Sequence, residues 1–416
     1  MTKKILIAAS ILAVLAVVLM VTLFAFRKKS APVSDDDLTL VRVNVSSNEN
    51  AFYILEEAAK ELFWPENATE INNIIEWEFW DARLAGEILS SNQKTLDLFD
   101  KAALRPHLRV PEIQSLGENF EYIKSWKKLS QLSMLRSQAL FHEGKEKEAL
   151  NSALQVAQLG HQMEDSDGAM IHYLVGSAVK NMAFHVTQQL IGGSSLSCDT
   201  MRPCADKLEQ LYANKSALTN VIKMEYQLQC KLVDDWVSGK AIGLTNQNMP
   251  ATGISKRLFD PEETRQIYAQ FARTGLKSIP LPLSQMPTNS FGFSTNRLPM
   301  LSLLLSGNAI GRTLAEMSDP PSQKFKCREN VNAAATLTIF ALKCYKQKYG
   351  SLPPSLEELV PEFLSKIPID DFDGKPLRYS AEKKILYSVG PDLIDSNGKE
   401  KDMQNKTLDI QFKIQF

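Results

Sequence analysis

The side chains best suited to acid–base or metal chemistry in this chain are its five histidines. They are His107, His142, His161, His172 and His185. They form no HExxH pair, and no GxSxG sequence supplies a nucleophile. His172 and His185 fall on one predicted helix, but their spacing turns them to different faces of it. The sequence therefore predicts packing or surface histidines and not a metal pair.

Two further patterns are compatible with catalysis. Gly192-Gly193 follows a predicted helix and is not followed by Lys-Ser or Lys-Thr, so it predicts a helix end and not a phosphate-binding loop. Glu225, Asp234 and Asp235 share another predicted helix and could serve as acids or bases, although charged helix faces are common without any catalytic role. We therefore favour a non-catalytic protein and keep catalysis as the alternative.

The cysteines are too few to build a fold on disulfides. They are Cys198, Cys204, Cys230, Cys327 and Cys344, with no CxxC pair of the kind that binds zinc. Because their number is odd, at least one thiol stays unpaired in a monomer. Cys198 and Cys204 are close enough along the chain to bridge in an oxidising compartment, and the alternative is that both are packing residues.

Length and charge limit the class of protein. The chain has 416 residues, of which 44% are hydrophobic, and this is enough for two or three globular domains. Lys and Arg total 47 against 48 Asp and Glu. Such a balance produces no field that attracts nucleic acid or an acidic membrane surface, so no nucleic-acid partner is expected.

Residues 5–26 predict a membrane anchor. As a helix they would span about 33 Å, enough to cross a bilayer. The apolar run ends without a small-x-small cleavage site, so the helix is expected to remain uncleaved. Lys3 and Lys4 compete with the basic residues 27–29, which leaves orientation open under the positive-inside rule. We expect a single-pass protein of a bacterial inner membrane, bound to lipid through this helix, with most of the chain in the periplasm.

The remainder predicts a mainly α protein with a small α+β C-terminal domain. The transmembrane anchor occupies residues 1–30 and a linker follows at 31–47. Within the linker, the alternation at 38–45 predicts a short strand. A helical domain is expected at 48–317, because its apolar residues recur at helical spacing, and an irregular helical bundle is the expected architecture.

Two features of the helical domain are specific enough to compare with a structure. Residues 77–103 predict one long helix. Residues 122–141 and 146–159 predict two helices joined at a turn containing Gly144. This pair looks like a single tetratricopeptide-type hairpin, and no second copy follows at the 34-residue period of such repeats.

A small α+β domain is predicted at residues 322–416. It opens with a helix from Lys326 to Tyr349. Ser355 is placed to cap a short helix, with Glu358 as its capping-box partner. The alternation at 408–416 predicts the last strand of an antiparallel sheet.

Three motifs in this domain resemble the globular domain of the major pseudopilin of type II secretion systems. They are Tyr-x-x-x-x-Gly-x-x-Pro from Tyr345, Pro-x-Asp-x-Phe-x-Gly-x-Pro-x-x-Tyr from Pro368, and Ser-x-Gly-Pro-Asp from Ser388. Their order makes the resemblance more specific than any one motif would be. It covers only the last part of the chain, and it implies a long helix packed on a small antiparallel sheet.

The resemblance also implies a calcium site, because the loop after the Gly-Pro-Asp strand binds calcium in that family. The candidate ligands here are Asp392, Asp395, Asn397 and Asp402. Calcium takes hard oxygen ligands, and these side chains with loop carbonyls could supply several of them. The alternative is a solvated turn without metal, because Asp, Asn and Gly are also the residues that turns prefer.

Two departures from the family limit what the resemblance implies. The anchor begins Met1-Thr2-Lys3-Lys4 and lacks the processing glycine and early glutamate of a pseudopilin. The module also lies far downstream of the anchor. We therefore expect a shared fold and not assembly into a pseudopilus.

The leading functional hypothesis is a non-catalytic envelope scaffold or adaptor, anchored in the membrane, whose helical domain and terminal module hold protein partners. A secretion apparatus is one candidate partner, although a shared fold is a weak argument for a shared function. The alternative is an envelope hydrolase or ligand sensor with a site in the helical domain. A shallow, apolar groove would favour the adaptor, and a deep polar cleft with converging carboxylates or histidines would favour the alternative.

Overall fold

The described part of the protein is mainly helical and carries one small sheet near its C-terminal end. The computed structural model describes residues 30–115, 118–213, 217–239, 259–286, 308–317, 323–401 and 408–416. The predicted anchor at residues 5–26 lies outside these ranges, and so does the predicted domain boundary at 318–321. No helix within the described ranges is long and apolar enough to cross a membrane.

Four helices form the first part of the bundle. They are α1 (Ala51–Glu61), α2 (Thr69–Ile75), α3 (Ala82–Ser91) and α4 (Gln93–Ala103). The prediction of one helix over 77–103 is wrong. The Asp81 carboxylate caps α3 by accepting from the N–H groups of Arg83 and Leu84, and Asn92 separates α3 from α4. Asp and Asn bind nearby backbone groups and favour helix ends, so the apolar pattern continues while the helix does not.

The segment 38–45, predicted as a strand, pairs with no strand in the described chain. Leu38 and Leu40 are buried, whereas Val41 and Val43 are 82% and 65% exposed. Two leucines of the linker reach inward to the helices, and the valines that follow them face solvent. The prediction of a strand here is therefore wrong.

Three long helices form the centre of the bundle. They are α5 (Glu121–His142), α6 (Glu146–Glu164) and α7 (Met170–Gly193). Gly144 makes the turn between α5 and α6 with a φ of +79°, which confirms the predicted helix–glycine–helix hairpin. Helices α6 and α7 touch at Gly160 and Gly176. A Cβ atom on Gly176 would lie 2.6 Å from the Gly160 carbonyl oxygen, so this crossing requires glycine.

Four further helices follow, and two of them build a second apolar cluster beside the main core. They are α8 (Cys198–Ala213), α9 (Ala217–Ser238), α10 (Pro261–Ser278) and α11 (Ala309–Met317). The Asp260 carboxylate caps α10 by accepting from the N–H of Glu263, 3.1 Å away. The second cluster joins Tyr226 and Trp236 of α9 to Tyr268 of α10. It gives α9 and α10 a core of their own.

The C-terminal part consists of a long helix and a three-stranded antiparallel sheet. The elements are α12 (Gln323–Tyr349), β1 (Arg378–Ser380), β2 (Ile385–Ser388) and β3 (Ile410–Lys413), with sheet order β1-β2-β3. Leu386 pairs with Tyr379 on one side and with Phe412 on the other. This confirms the predicted helix followed by a small sheet.

Short 3-10 turns complete the described secondary structure. They lie at Asp36–Leu38, Leu283–Gln285, Leu356–Leu359 and Gly390–Asp392. The predicted capping box of Ser355 and Glu358 is not formed, because Ser355 makes no side-chain cap hydrogen bond. The segment that it precedes is a single 3-10 turn, which does not present the row of free N–H groups of an α-helix.

One hydrophobic core runs through the helical body and the terminal module. It extends from α1 through α5, α6 and α7 to α12 and the sheet, and includes Trp126, Phe340 and Phe412. Helix α12 packs along α7 and α8, and it also contacts β2. The core therefore continues across the position of the predicted boundary between residues 317 and 322.

A disulfide joins the helical body to α12. It links Cys198, the first residue of α8, to Cys344, with their Cα atoms 5.3 Å apart. The bridge between Cys198 and Cys204, which the sequence left open, is not formed, because Cys204 is a buried free thiol. Both residues lie on α8, where six residues of rise and rotation separate the side chains beyond disulfide reach.

Candidate functional site

The predicted calcium ligands lie in one loop after β2. The Asp392 carboxylate accepts from the N–H of Ile394 at 3.1 Å, and the Asp395 carboxylate accepts from the N–H of Asn397 at 2.9 Å. Asn397 has a φ of 58°, as turn-forming asparagines often do. The structure thus brings Asp392, Asp395 and Asn397 together, while Asp402 lies outside the described residues.

Asp409, directly before β3, contacts this loop, and the sequence did not reveal it. It is 1% exposed, and its carboxylate accepts from the N–H groups of Ser396 and Gly398. Burial raises the pKa of Asp409, and the neighbouring carboxylates of Asp395 and Asp392 raise it further. Three carboxylates therefore converge on this loop. The period-two pattern puts Asp409 on the polar face of its strand, and only the loop folding over that face buries it.

Arg378 supplies positive charge to the same region. Its guanidinium donates to Asp370 at 2.8 Å and is paired with Asp373. Its Nε atom also lies 3.7 Å from an oxygen of Asp395. Asp395 therefore faces a fixed cation on one side and the carboxylates of the loop on the other, so its negative charge is partly balanced without a metal.

Asp370 is the aspartate of the Pro-x-Asp motif, and its contacts explain why this position is an aspartate. The side chain is fully buried. Its carboxylate accepts from Ser388 Oγ at 2.9 Å and from the N–H of Val389 at 3.0 Å, which ties the loop after Pro368 to the end of β2. Burial raises the pKa of Asp370, and these hydrogen bonds oppose the rise. The motif therefore positions the start of the acidic loop.

The loop carries the kinds of oxygen donor that a hard cation binds, but it does not form a complete set of ligands. Carboxylate and amide oxygens are the donors calcium prefers, and each carboxylate that accepts one N–H keeps lone pairs for an ion. Within the described ranges, no group of three or more His, Cys, Asp or Glu side chains is arranged as a metal-holding cluster.

A cleft of about 600 Å³ lies where the helical body meets the terminal module. Its walls include Tyr212, Pro280, Pro282, Leu337, Leu364, Pro368 and Ile369. The Asp371 carboxylate in its lining is already engaged, since Asn330 donates to it at 2.8 Å and Lys326 lies 3.1 Å away. None of the described lining residues is a histidine. The cleft thus combines apolar walls with three charged side chains, Glu209, Lys366 and Asp371, and it does not gather groups for acid–base catalysis.

A buried ionic cluster lies where α6, α7 and α12 meet. Lys180 Nζ is 2.9 Å from Glu164, and it is also bound to Glu329. All three side chains are at most 10% exposed. Burial raises the pKa of Glu329 to about 7, and the negative charge of Glu164 adds to the rise. One ammonium group faces two carboxylates, so the cluster favours holding one extra proton.

The two buried histidines, His161 and His172, are also packing residues. Burial lowers the pKa of His161 to about 4, and the charge of Lys180 lowers it further. Burial likewise lowers the pKa of His172 to about 4, and its Nε2 atom lies 2.7 Å from the hydroxyl of Tyr122. Both side chains are therefore neutral at pH 7, in keeping with the prediction of packing histidines.

Comparison of this chain with protein-family models, with curated proteins and with solved structures gives no match.

Proposed function

We propose that this protein is an envelope scaffold or adaptor that is anchored in a bacterial inner membrane through residues 5–26 and holds protein partners. The observation that carries the proposal is the cleft between the helical body and the terminal module, whose apolar walls also carry Glu209, Lys366 and Asp371. Clefts that combine apolar walls with a few polar groups suit the capture of a polypeptide segment. The buried polar groups described above serve packing, which agrees with a role in binding.

The likeness of two parts of the chain to known folds supports the same proposal. The α5–α6 hairpin is similar to a tetratricopeptide unit, which is a helical element that binds proteins. The terminal module is similar to a pseudopilin domain, so components of a secretion apparatus are the first candidates for partners. This likeness is an argument from fold, and it ranks below the cleft.

The Cys198–Cys344 disulfide supports a periplasmic location for the body. Stable disulfides form in oxidising compartments, and the bacterial periplasm is one of them. We further propose that calcium binds the acidic loop at Asp392, Asp395, Asn397 and Asp402 and acts there as a structural ion.

The adaptor role is tested by partner capture from native membranes with the full chain as bait. Ile369, which is 39% exposed in the cleft, is changed to glutamate, and Val41→Glu at a position 82% exposed elsewhere is the control. We expect Ile369→Glu to lose partners that the wild type and Val41→Glu retain, because a buried charge in an apolar contact is costly. Reproducible capture of no partner by the wild type would refute the proposal.

A further inference from the structure

A group of aromatic side chains lies between α2 and α3, with Phe79 at the surface and Trp77 and Trp80 partly buried against the main core. We name residues Trp77, Glu78, Phe79, Trp80 and Asp81 the aromatic loop. Phe79 is 44% exposed. The ring of Trp80 stacks on that of His142, at the end of α5, with centroids 4.2 Å apart and planes 18° apart. The ring of Trp77 is also near parallel to His142, at 6.4 Å.

The backbone of this loop is held in a conformation that tryptophan rarely adopts. Trp77 has a φ of 66°. Its N–H donates to the carbonyl of Ile74, and the N–H of Glu78 donates to the carbonyl of Asn73, both at 2.9 Å. This is the helix-ending motif in which glycine usually occupies the left-handed position. A tryptophan at this position destabilises the backbone, and its ring becomes part of the aromatic loop.

The charge around the rings is negative. Glu76 and Glu78 are exposed on either side of Trp77. Asp81 points its carboxylate at the first N–H groups of α3, and the nearest following cation, Arg83, is paired with Glu87. Aromatic faces bordered by carboxylates attract cations, because the ring quadrupole and the carboxylates act in the same direction.

We propose that the aromatic loop is a docking surface for an arginine-bearing segment of a protein partner. A guanidinium is flat, stacks on aromatic rings and pairs with carboxylates, so it suits this surface better than a lysine ammonium does. His142 occupies one face of Trp80, so an arriving guanidinium would stack on the exposed ring of Phe79, beside the Glu76 and Glu78 carboxylates. The proposal names a partner chemistry for the adaptor role and rests on that role.

The test uses the full chain, purified in detergent, and measures fluorescence anisotropy of labelled octa-arginine and octa-lysine peptides. We expect octa-arginine to bind about fivefold more tightly than octa-lysine. A variant with Glu76→Gln and Glu78→Gln should weaken octa-arginine binding by about fivefold or more, without touching the core. Phe79→Ala should weaken it by a similar factor.

Matched controls separate this surface from general charge and from other exposed rings. The variant with Glu57→Gln and Glu112→Gln removes two exposed carboxylates elsewhere, and Phe63→Ala removes a ring that is 53% exposed. Both should bind octa-arginine as the wild type does. Equal binding of the two peptides, or unchanged binding by the Glu76, Glu78 variant, would overturn the proposal.

Two further outcomes distinguish this proposal from the adaptor role itself. If partner capture from membranes persists while octa-arginine fails to bind the wild type, the aromatic loop is refuted and the adaptor role stands. If the wild type captures no partner, the adaptor role is refuted. Binding of phosphatidylcholine vesicles that is lost in Phe79→Ala, without peptide binding, would assign the loop to a lipid headgroup and overturn the proposal.

Discussion

Among single residues, the buried cluster of Lys180, Glu164 and Glu329 has the clearest energetic consequence. The pKa of Glu329 is raised from 4.5 to about 7, so the folded protein holds a proton that the unfolded chain releases. The stability contributed by this group is complete below about pH 4.5 and is lost as pH rises towards 7. The pKa values of His161 and His172 are lowered from 6.5 to about 4, so their contribution to stability has the opposite pH dependence. That contribution is lost as pH falls from 6.5.

The variant Glu329→Gln isolates the carboxylate contribution. Between pH 5 and pH 8, the unfolding free energy of Glu329→Gln should rise by about 2 to 3 kcal/mol relative to that of the wild type. The reason is that only the wild type must ionise a buried acid over that range. Urea unfolding at pH 5, 6.5 and 8 measures this. The exposed Glu358→Gln is the control, and parallel pH curves for wild type and Glu329→Gln would contradict the account.

A second prediction for individual residues concerns calcium binding. Saturating calcium, at about 100 times its dissociation constant, should add about 2.7 kcal/mol of unfolding free energy, and chelator should remove this gain. A variant with Asp392→Ala and Asp395→Ala should show no response, while Asp206→Ala on α8 should respond as the wild type does. Equal calcium response in the loop variant would remove the proposed site.

The sequence predicted only part of these sites, for physical reasons. Asp392, Asp395 and Asn397 share one short loop, so their proximity follows from chain connectivity. Asp409 lies directly before β3, and the alternation at 408–416 assigns it to solvent. The buried ionic cluster could not be predicted, because Glu164, Lys180 and Glu329 come from three helices and each looks like an ordinary charged position on its own helix.

Among the elements, the α8–α12 junction depends on the disulfide. Closing a loop with a sequence separation of 146 residues should stabilise the fold by about 5 kcal/mol, chiefly by restricting the unfolded chain. A variant with Cys198→Ser and Cys344→Ser should lose this amount in urea unfolding. Reducing agent should destabilise the wild type and leave the variant unchanged, and equal stability of oxidised and reduced wild type would contradict the assignment.

The predictions for whole elements succeeded where a periodic pattern was long and uninterrupted. The α5–α6 hairpin agrees with the sequence because its helices bury apolar residues at helical spacing. Helix α12 also agrees in extent, although it is buried on all its faces between residues 333 and 344 and not along one stripe. The helix over 77–103 failed because capping residues divide an otherwise helical pattern. The strand at 38–45 failed because alternation describes a half-buried chain, and pairing with a neighbour is a separate, nonlocal condition.

For the whole molecule, the helical body and terminal module share one core and are linked by the disulfide and the buried ionic cluster. With the proposed anchor at residues 5–26, this unit should face the periplasm. Protease added to spheroplasts should digest the body while a cytoplasmic marker stays intact. Protection of the body until the inner membrane is lysed would reverse the proposed orientation.

The central claim is that the cleft between the body and the terminal module holds a protein partner. The most direct measurement places a photo-cross-linking amino acid at Ile369 in the full chain, in its native membrane, with Val41 as the control position. The account predicts a discrete adduct with one protein from Ile369 that Val41 does not give. Absence of any adduct from Ile369 above the level at Val41 would contradict it.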